Sequence, residues 1–230
     1  MKSFINIGMA LILAVMLGAP ACQKAEEQSS GTGEKKPQTA TMPQEPVKEP
    51  AAVSGISLGA TLDEVMKKAP GAKKVPDQAG KFTILVDADP GELFKVKAVT
   101  RTFFFDVEKR LQAIIYNFDF EFNGSQAREA YTHLTQKFKA EFGATPTEVK
   151  SSYRSASDDQ AAWGLILKEQ KEVELDNKVK ELRWAGAKMA ITLSLAEMVP
   201  VGVPQDKAGP RFESVASFSL AGFSQALEGK

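Results

Sequence analysis

Cysteine and histidine are almost missing from this 230-residue chain, which holds one of each, Cys22 and His133. A single thiol excludes an internal disulfide framework, so the fold must rest on its hydrophobic core. One imidazole without a second thiol leaves too few soft ligands for a zinc site. A surplus charge of either sign is also lacking. Lys and Arg total 29 and Asp and Glu total 29, so the electrostatic footprint of a nucleic-acid binder is absent. No apolar run reaches the ~20 residues that a membrane-spanning helix requires. There is no GxGxxG or P-loop pattern, no nucleophile elbow and no CxxCH haem site. What the chain does hold is apolar material: 43% of its residues, 14 of them Phe.

The N-terminus has its own layout. Lys2 gives a positive head, Phe4 to Leu17 is almost wholly apolar, and Gly18-Ala19-Pro20-Ala21-Cys22 follows. The apolar run of about 14 residues suits the core of a secretory signal, typically ~7–15 residues, rather than a membrane span. A leftover thiol on an exported chain needs an explanation, and lipidation supplies one. The segment Ala19-Pro20-Ala21-Cys22 resembles the lipobox of bacterial lipoproteins, with Ala19 where that family usually carries Leu. The resemblance implies a signal peptide over residues 1–21, a diacylglyceryl group on the Cys22 thiol and an acylated new amine. One acyl chain holds a protein to a membrane only marginally, whereas two or three anchor it stably. By the sorting rule that the resemblance brings with it, Gln23 after the cysteine implies the outer membrane, facing the periplasm. An ordinary cleaved signal that leaves a free Cys22 is the alternative.

Residues 22–52 read as a lipidated cysteine followed by a disordered tether. The segment is rich in Glu, Lys, Gln, Ser, Thr and Pro and has no aromatic residue. It cannot bury enough surface to offset its ordering entropy. Such a chain reaches on the order of 30 Å, and its prolines extend it further. A plain spacer is the simpler reading; a partner-binding Pro-rich stretch is the other.

Residues 53–230 form a single α+β globular domain on this reading, an antiparallel sheet with two or three helices packed on one face. Thr61 followed by Glu64 is a capping box that starts a short helix at Leu62, ended by Pro70-Gly71. Strands are expected over 81–87, 96–107 and 111–122, the stretch 98–122 forming a hairpin that turns near Glu108-Lys109-Arg110. In its second half Ile114, Tyr116, Phe118, Phe120 and Phe122 alternate with Ile115, Asn117, Asp119 and Glu121, which predicts one buried and one wet face. A helix over 125–142 follows, with the stripe Ala127, Ala130, Tyr131, Leu134, Phe138 and Phe142 and a Gly143 cap. For 145–180 two readings stand: a charged hairpin turning at Asp176-Asn177, or helix for part of it, which the Lys, Glu and Leu content favours. Strands return at 181–184, 188–195 and 211–220. The two helix ends, at Gly71 and Gly143, leave open a layout of two helix-plus-strands halves.

The segment Ile56-Ser57-Leu58-Gly59-Ala60-Thr61-Leu62-Asp63-Glu64-Val65 resembles the opening of many small exported bacterial domains. These include the small lipoprotein of the β-barrel assembly machinery and β-lactamase-inhibitor-like domains. Phe142-Gly143-Ala144-Thr145-Pro146 and Trp184-Ala185-Gly186 resemble later segments of that group. The resemblance implies an α+β two-layer fold rather than an activity, and it assigns no functional residue.

Chemistry is sparse. His133 sits at a helix-stripe edge with no partner for a triad or dyad. Asp158, Asp159, Glu169, Glu172, Glu174 and Asp176 lack the spacing of a calcium loop and read as a solvated face. Asp119 and Glu121 share a strand face and could pair as acid and base, but alternation puts them on the wet side with no cleft signalled. Phe103, Phe104 and Phe105 put a ring on both faces of one strand. The second face is expected to be covered by the C-terminal part of the chain rather than bare. No catalytic, cofactor-binding or metal residue is expected; Cys22 is the one modified position. The expected partners are a membrane, through lipid on Cys22, and an envelope protein, with no nucleic acid and no cofactor. A non-catalytic binding or envelope-assembly module leads. An enzyme inhibitor, an enzyme whose site has no local motif, and a purely structural envelope protein are the alternatives.

Overall fold

The computed structural model describes residues 46–77, 80–143, 145–157, 173–203 and 208–223. The expected signal peptide, Cys22 and most of the expected tether lie outside these residues, as do Asp158, Asp159, Glu169 and Glu172.

Helix α1 spans Leu62–Lys68. Thr61 and Glu64 close the capping box, the Glu64 carboxylate accepting from the Thr61 N–H at 2.8 Å and Thr61 Oγ1 accepting from the Glu64 N–H at 3.4 Å. Helix α2 spans Gly124–Phe142. Asn123 Oδ1 accepts from the Gln126 N–H at 3.1 Å, and Gly143 takes the left-handed conformation (φ 75°) that ends the helix. A Cβ at Gly124 would lie 2.7 Å from the Phe212 ring, so glycine there lets the first turn of α2 sit close on the sheet.

The strands are β1 (Lys73–Val75), β2 (Thr83–Asp87), β3 (Glu92–Leu93), β4 (Val96–Lys97), β5 (Thr100–Phe105), β6 (Leu111–Asp119), β7 (Thr147–Ser157), β8 (Val173–Ala185), β9 (Met189–Pro200) and β10 (Arg211–Leu220). Eight of them form one antiparallel sheet in the order β1-β2-β5-β6-β10-β9-β8-β7, and β3-β4 form a separate hairpin. The architecture is thus mostly antiparallel sheet, with two helices among the described residues. The expected 98–122 hairpin is β5–β6. Val96 does not begin that strand, however. Phe94 and Lys95 both adopt positive φ (51° and 68°), which turns the chain back into β3–β4 before β5 starts.

The helical reading of part of 145–180 is overturned over its described residues. Thr147–Ser157 and Val173–Ala185 are paired strands, and Asp176-Asn177 lies in mid-strand rather than at a turn. Helix-forming Lys and Glu take the exposed positions of β8 while Val173, Leu175 and Val179 are buried between them. Pairing to neighbours on both sides outweighs a propensity of a few tenths of a kcal/mol per residue.

Side chains divide over two faces. On the helix face, Val65 and Ala69 of α1 and Leu134, Phe138 and Phe142 of α2 join Phe103, Phe105, Ile114, Tyr116, Phe118, Trp184, Ile191 and Phe218 in one cluster. Phe138 meets Phe94, Phe142, Trp184 and Phe218 ring to ring at 5.2–5.7 Å. On the back face, Ile84, Phe104, Ala113, Ile115, Val179, Ala196, Met198, Val215 and Phe223 form a second cluster. The wet face expected for β6 is therefore dry at Ala113 and Ile115. Phe104 packs on Phe82 and on Phe223 of the C-terminal segment at 6.1 and 5.5 Å, so its face is covered.

Contacts with the domain begin before Val53. Val47 packs against the helix-face cluster. The Lys48 N–H donates to Phe142 O at 2.9 Å. Glu49 Oε1 accepts from the Lys188 and Met189 N–H groups at 2.6 and 3.2 Å. The last residues assigned to the tether thus strap the end of α2 to the β8–β9 turn. A Cβ on Gly186 in that turn would run into the Glu49 carboxylate.

Candidate functional site

The β3–β4 hairpin stands off the main sheet, and its turn is strained. Each left-handed non-glycine residue costs of order 1–3 kcal/mol unless its surroundings hold it. Two contacts hold this one. The Phe94 ring stacks edge-on against Phe138 at 5.6 Å, and His133 Nε2 lies 2.8 Å from Phe94 O, to which it donates. His133 is thus half-buried and structural, in keeping with its place at the stripe edge.

Between this hairpin and the first turns of α2 lies a cleft of about 640 Å³. Lys95, Lys97, Asp89, Gln126 and Glu129 supply its polar lining, and Val96, Val99 and Phe120 its apolar patches. Val99 is 43% exposed, and Phe122, just past the end of β6, is 48% exposed. Both signs of charge line the cleft, so it suits a polar partner with apolar side groups rather than a simple ion.

Asp119 lines this cleft at the end of β6. The strand face that Asp119 is expected to share with Glu121 is corrected here. Glu121 lies beyond the strand at φ 49°, and its N–H donates to Asp119 Oδ1 at 2.8 Å. The charge partner of Asp119 is Arg211, whose Nη2 donates to Asp119 Oδ2 at 2.7 Å. Directly across from Asp119 in the β6–β10 register, and on the same back face of the sheet, stands Glu213. Burial pushes the Glu213 carboxyl up to about 7, the nearby Asp119 charge pushes the same way, and Arg211 opposes both. The Tyr153 hydroxyl on β7 is raised by burial and by Glu213. A carboxyl group with a raised pKa thus sits beside the Asp119–Arg211 ion pair on the back face of the sheet. Paired carboxylates in different surroundings are the raw material of acid–base chemistry.

A second, shallower groove of about 270 Å³ lies between α2 and β7–β8. Arg128, Lys150, Lys178 and Lys180 border it, with Leu195 and Phe212 on its floor. Arg128 lies over the Phe212 ring at 5.7 Å. Of the acidic group read as a solvated face, Glu174 and Asp176 face Arg154 at 3.0 and 3.8 Å. Among the described residues no three His, Cys, Asp or Glu side chains cluster as metal ligands, and no helix is long and apolar enough to cross a membrane.

Glu213 could not be found from the sequence. Nothing local marks it, and its meaning comes from a register that joins β10 to β6. Searches against family models, curated proteins and solved structures returned no match to this chain.

Proposed function

We propose that this chain is a lipid-anchored module of the bacterial cell envelope. It is held to the outer membrane through Cys22, faces the periplasm, and binds an envelope component without catalysis. The observation that carries the reading is where the cleft lies. The chain enters the domain at Val47–Glu49, beside the last residue of α2. The cleft adjoins the first turns of the same helix. Its cleft-lining residues Gln126, Glu129 and Ala130 lie roughly 18–24 Å before Phe142 at 1.5 Å per residue. A domain held by its N-terminal side leaves this cleft clear of the tether. The part-exposed Val99 and Phe122 give a partner apolar purchase beside the charged rim.

The same proposal includes the finer fold: both helices on one face, and two helix-plus-strands halves. The single cluster shared by α1 and α2 supports the first. The strand order supports the second, since β1-β2-β5-β6 and β7-β8-β9-β10 meet through their last strands.

A photo-crosslinking residue at Val99 or Phe122 of the anchored protein tests the binder. Discrete adducts from native envelopes are expected from both positions and not from Val107, an 86%-exposed residue in the β5–β6 turn. Equal labelling from all three sinks the reading. Cys22→Ser is expected to move the protein out of the membrane fraction; continued association removes the lipid anchor. Glu213 beside Asp119 favours the second reading, an enzyme. Under that reading Glu213→Gln abolishes turnover of the captured component; under the first it leaves the adducts unchanged.

A further inference from the structure

We infer that two copies of this chain join edge to edge through β7, in an antiparallel pair centred on Ser151. β7 ends the sheet, and among the described residues only β8 pairs with it. Its Thr147, Glu148, Lys150, Ser151, Ser152 and Arg154 are exposed. Over residues 147–155 this gives roughly 30 Å of strand edge that no other described strand covers. The opposite edge of the sheet is treated differently. β1 is three residues long and carries Lys73 and Lys74, the short, charged kind of edge that discourages pairing.

β7 is charged too, but its charges complement themselves. With Ser151 opposite Ser151 of the second copy, Glu148 faces Arg154 and Arg154 faces Glu148. On the same face each Lys150 meets a Ser152, and on the other face of the strand Val149 meets Tyr153 twice. Opposite charges and aromatic–β-branched pairs are the favourable cross-strand combinations. Moving the centre to Ser152 sets Lys150 against Arg154, and moving it to Lys150 sets that lysine against itself. Both placements oppose like charges. Centring on Ser151 also keeps even-numbered residues opposite even-numbered ones, so the helix faces of both copies stay on one side and the sheets run on continuously. The pairs that Glu148 and Arg154 make within one copy join side chains that are 44–75% exposed, weak contacts that can be shared across an interface.

A backbone-paired edge of this size makes a weak dimer, so covalent trapping is the suitable readout. The full chain carrying Cys22→Ser and Ser151→Cys has one thiol. Antiparallel partners have Cα atoms about 4.5–5.5 Å apart, within the span a disulfide bridges. Mild oxidation is expected to give a disulfide dimer. Thr147→Cys and Ser155→Cys should each stay monomeric alone and form a mixed dimer when combined, because this register sets 147 opposite 155. Adding Arg154→Glu to Ser151→Cys should slow trapping on the order of tenfold, and adding Glu148→Arg as well should restore it. That rescue separates loss of pairing from loss of folding. Monomer under oxidation, equal trapping at all three positions, or indifference to Arg154→Glu overturns the proposal. Trapping in native envelopes that yields only adducts heavier than the dimer would give the edge to a strand from another protein and overturn it as well.

Discussion

On the helix face of the sheet, Phe103, Phe118, Phe138, Trp184 and Phe218 meet ring against ring, with the Asp87–Arg101 ion pair at the margin. On the back face Glu213, Arg211, Asn177, Glu181 and Ser217 are buried among aliphatic residues. Both faces exclude water and both bury apolar side chains, but only the back face adds several buried polar groups to them. Burial of apolar area drives folding, whereas burial of a carboxyl group costs unless it is paired or protonated. The helix face therefore gains by burial throughout, whereas the back face also carries carboxyl groups, Glu213 and Glu181, whose pKa burial raises.

Substitutions can break that contrast. The largest effect is expected on the helix face. Phe138 is fully buried at the centre of the ring cluster, and Phe138→Ala should cost about 3–5 kcal/mol in urea unfolding. A cost under 1 kcal/mol would mean that the rings are not the core.

Next comes Glu213. Its folded pKa, about 7, lies above the ordinary carboxyl value of 4.5, so the folded state binds the proton more tightly. Below pH 4.5 both states are protonated and no penalty arises. As pH rises to 7 only the unfolded chain releases the proton, and stability falls; above 7 the penalty is complete, on the order of 3 kcal/mol. Glu213→Gln should flatten this slope and raise stability at pH 8. An unchanged pH profile would show that Arg211 already compensates the charge.

A smaller effect is expected at Ser217, whose buried Oγ has no hydrogen-bond partner. Ser217→Ala should leave stability unchanged or raise it by up to about 1 kcal/mol; a clear loss would show that the back face relies on that hydroxyl. The smallest lies outside both faces' interiors. Arg154 pairs with Glu174 at the surface, and Arg154→Ala should change thermal stability by less than about 0.5 kcal/mol.

The two faces also differ in how far they could be read in advance. The Thr61–Glu64 cap, the Tyr131–Leu134–Phe138 stripe and the strand 211–220 follow local rules, and the structure places them within a residue of where those rules put them. β7 and most of β8 do not. SSYRSAS carries no alternation, and VELDNKVKEL holds good helix formers whose strand state comes from the neighbours on either side. The cleft and Glu213 are harder still. One needs a hairpin whose turn residues, Phe94 and Lys95, break the usual glycine preference. The other needs a register between residues 94 positions apart. Interactions that span the chain leave no spacing to recognise.

A domain held by its N-terminal side is also one that can be pulled. Load arriving at Val47 meets the bond from the Lys48 amide to Phe142 and the two bonds to the Glu49 carboxylate. These lead into the end of the long helix and into the β8–β9 turn, hence into the longest strands of the sheet. The strap spreads the force there before it can reach the three-residue edge strand β1. Gly186 is where that load path would be cut, since any side chain there displaces the carboxylate. Under the proposed anchoring, the glycine couples the tether mechanically to the fold.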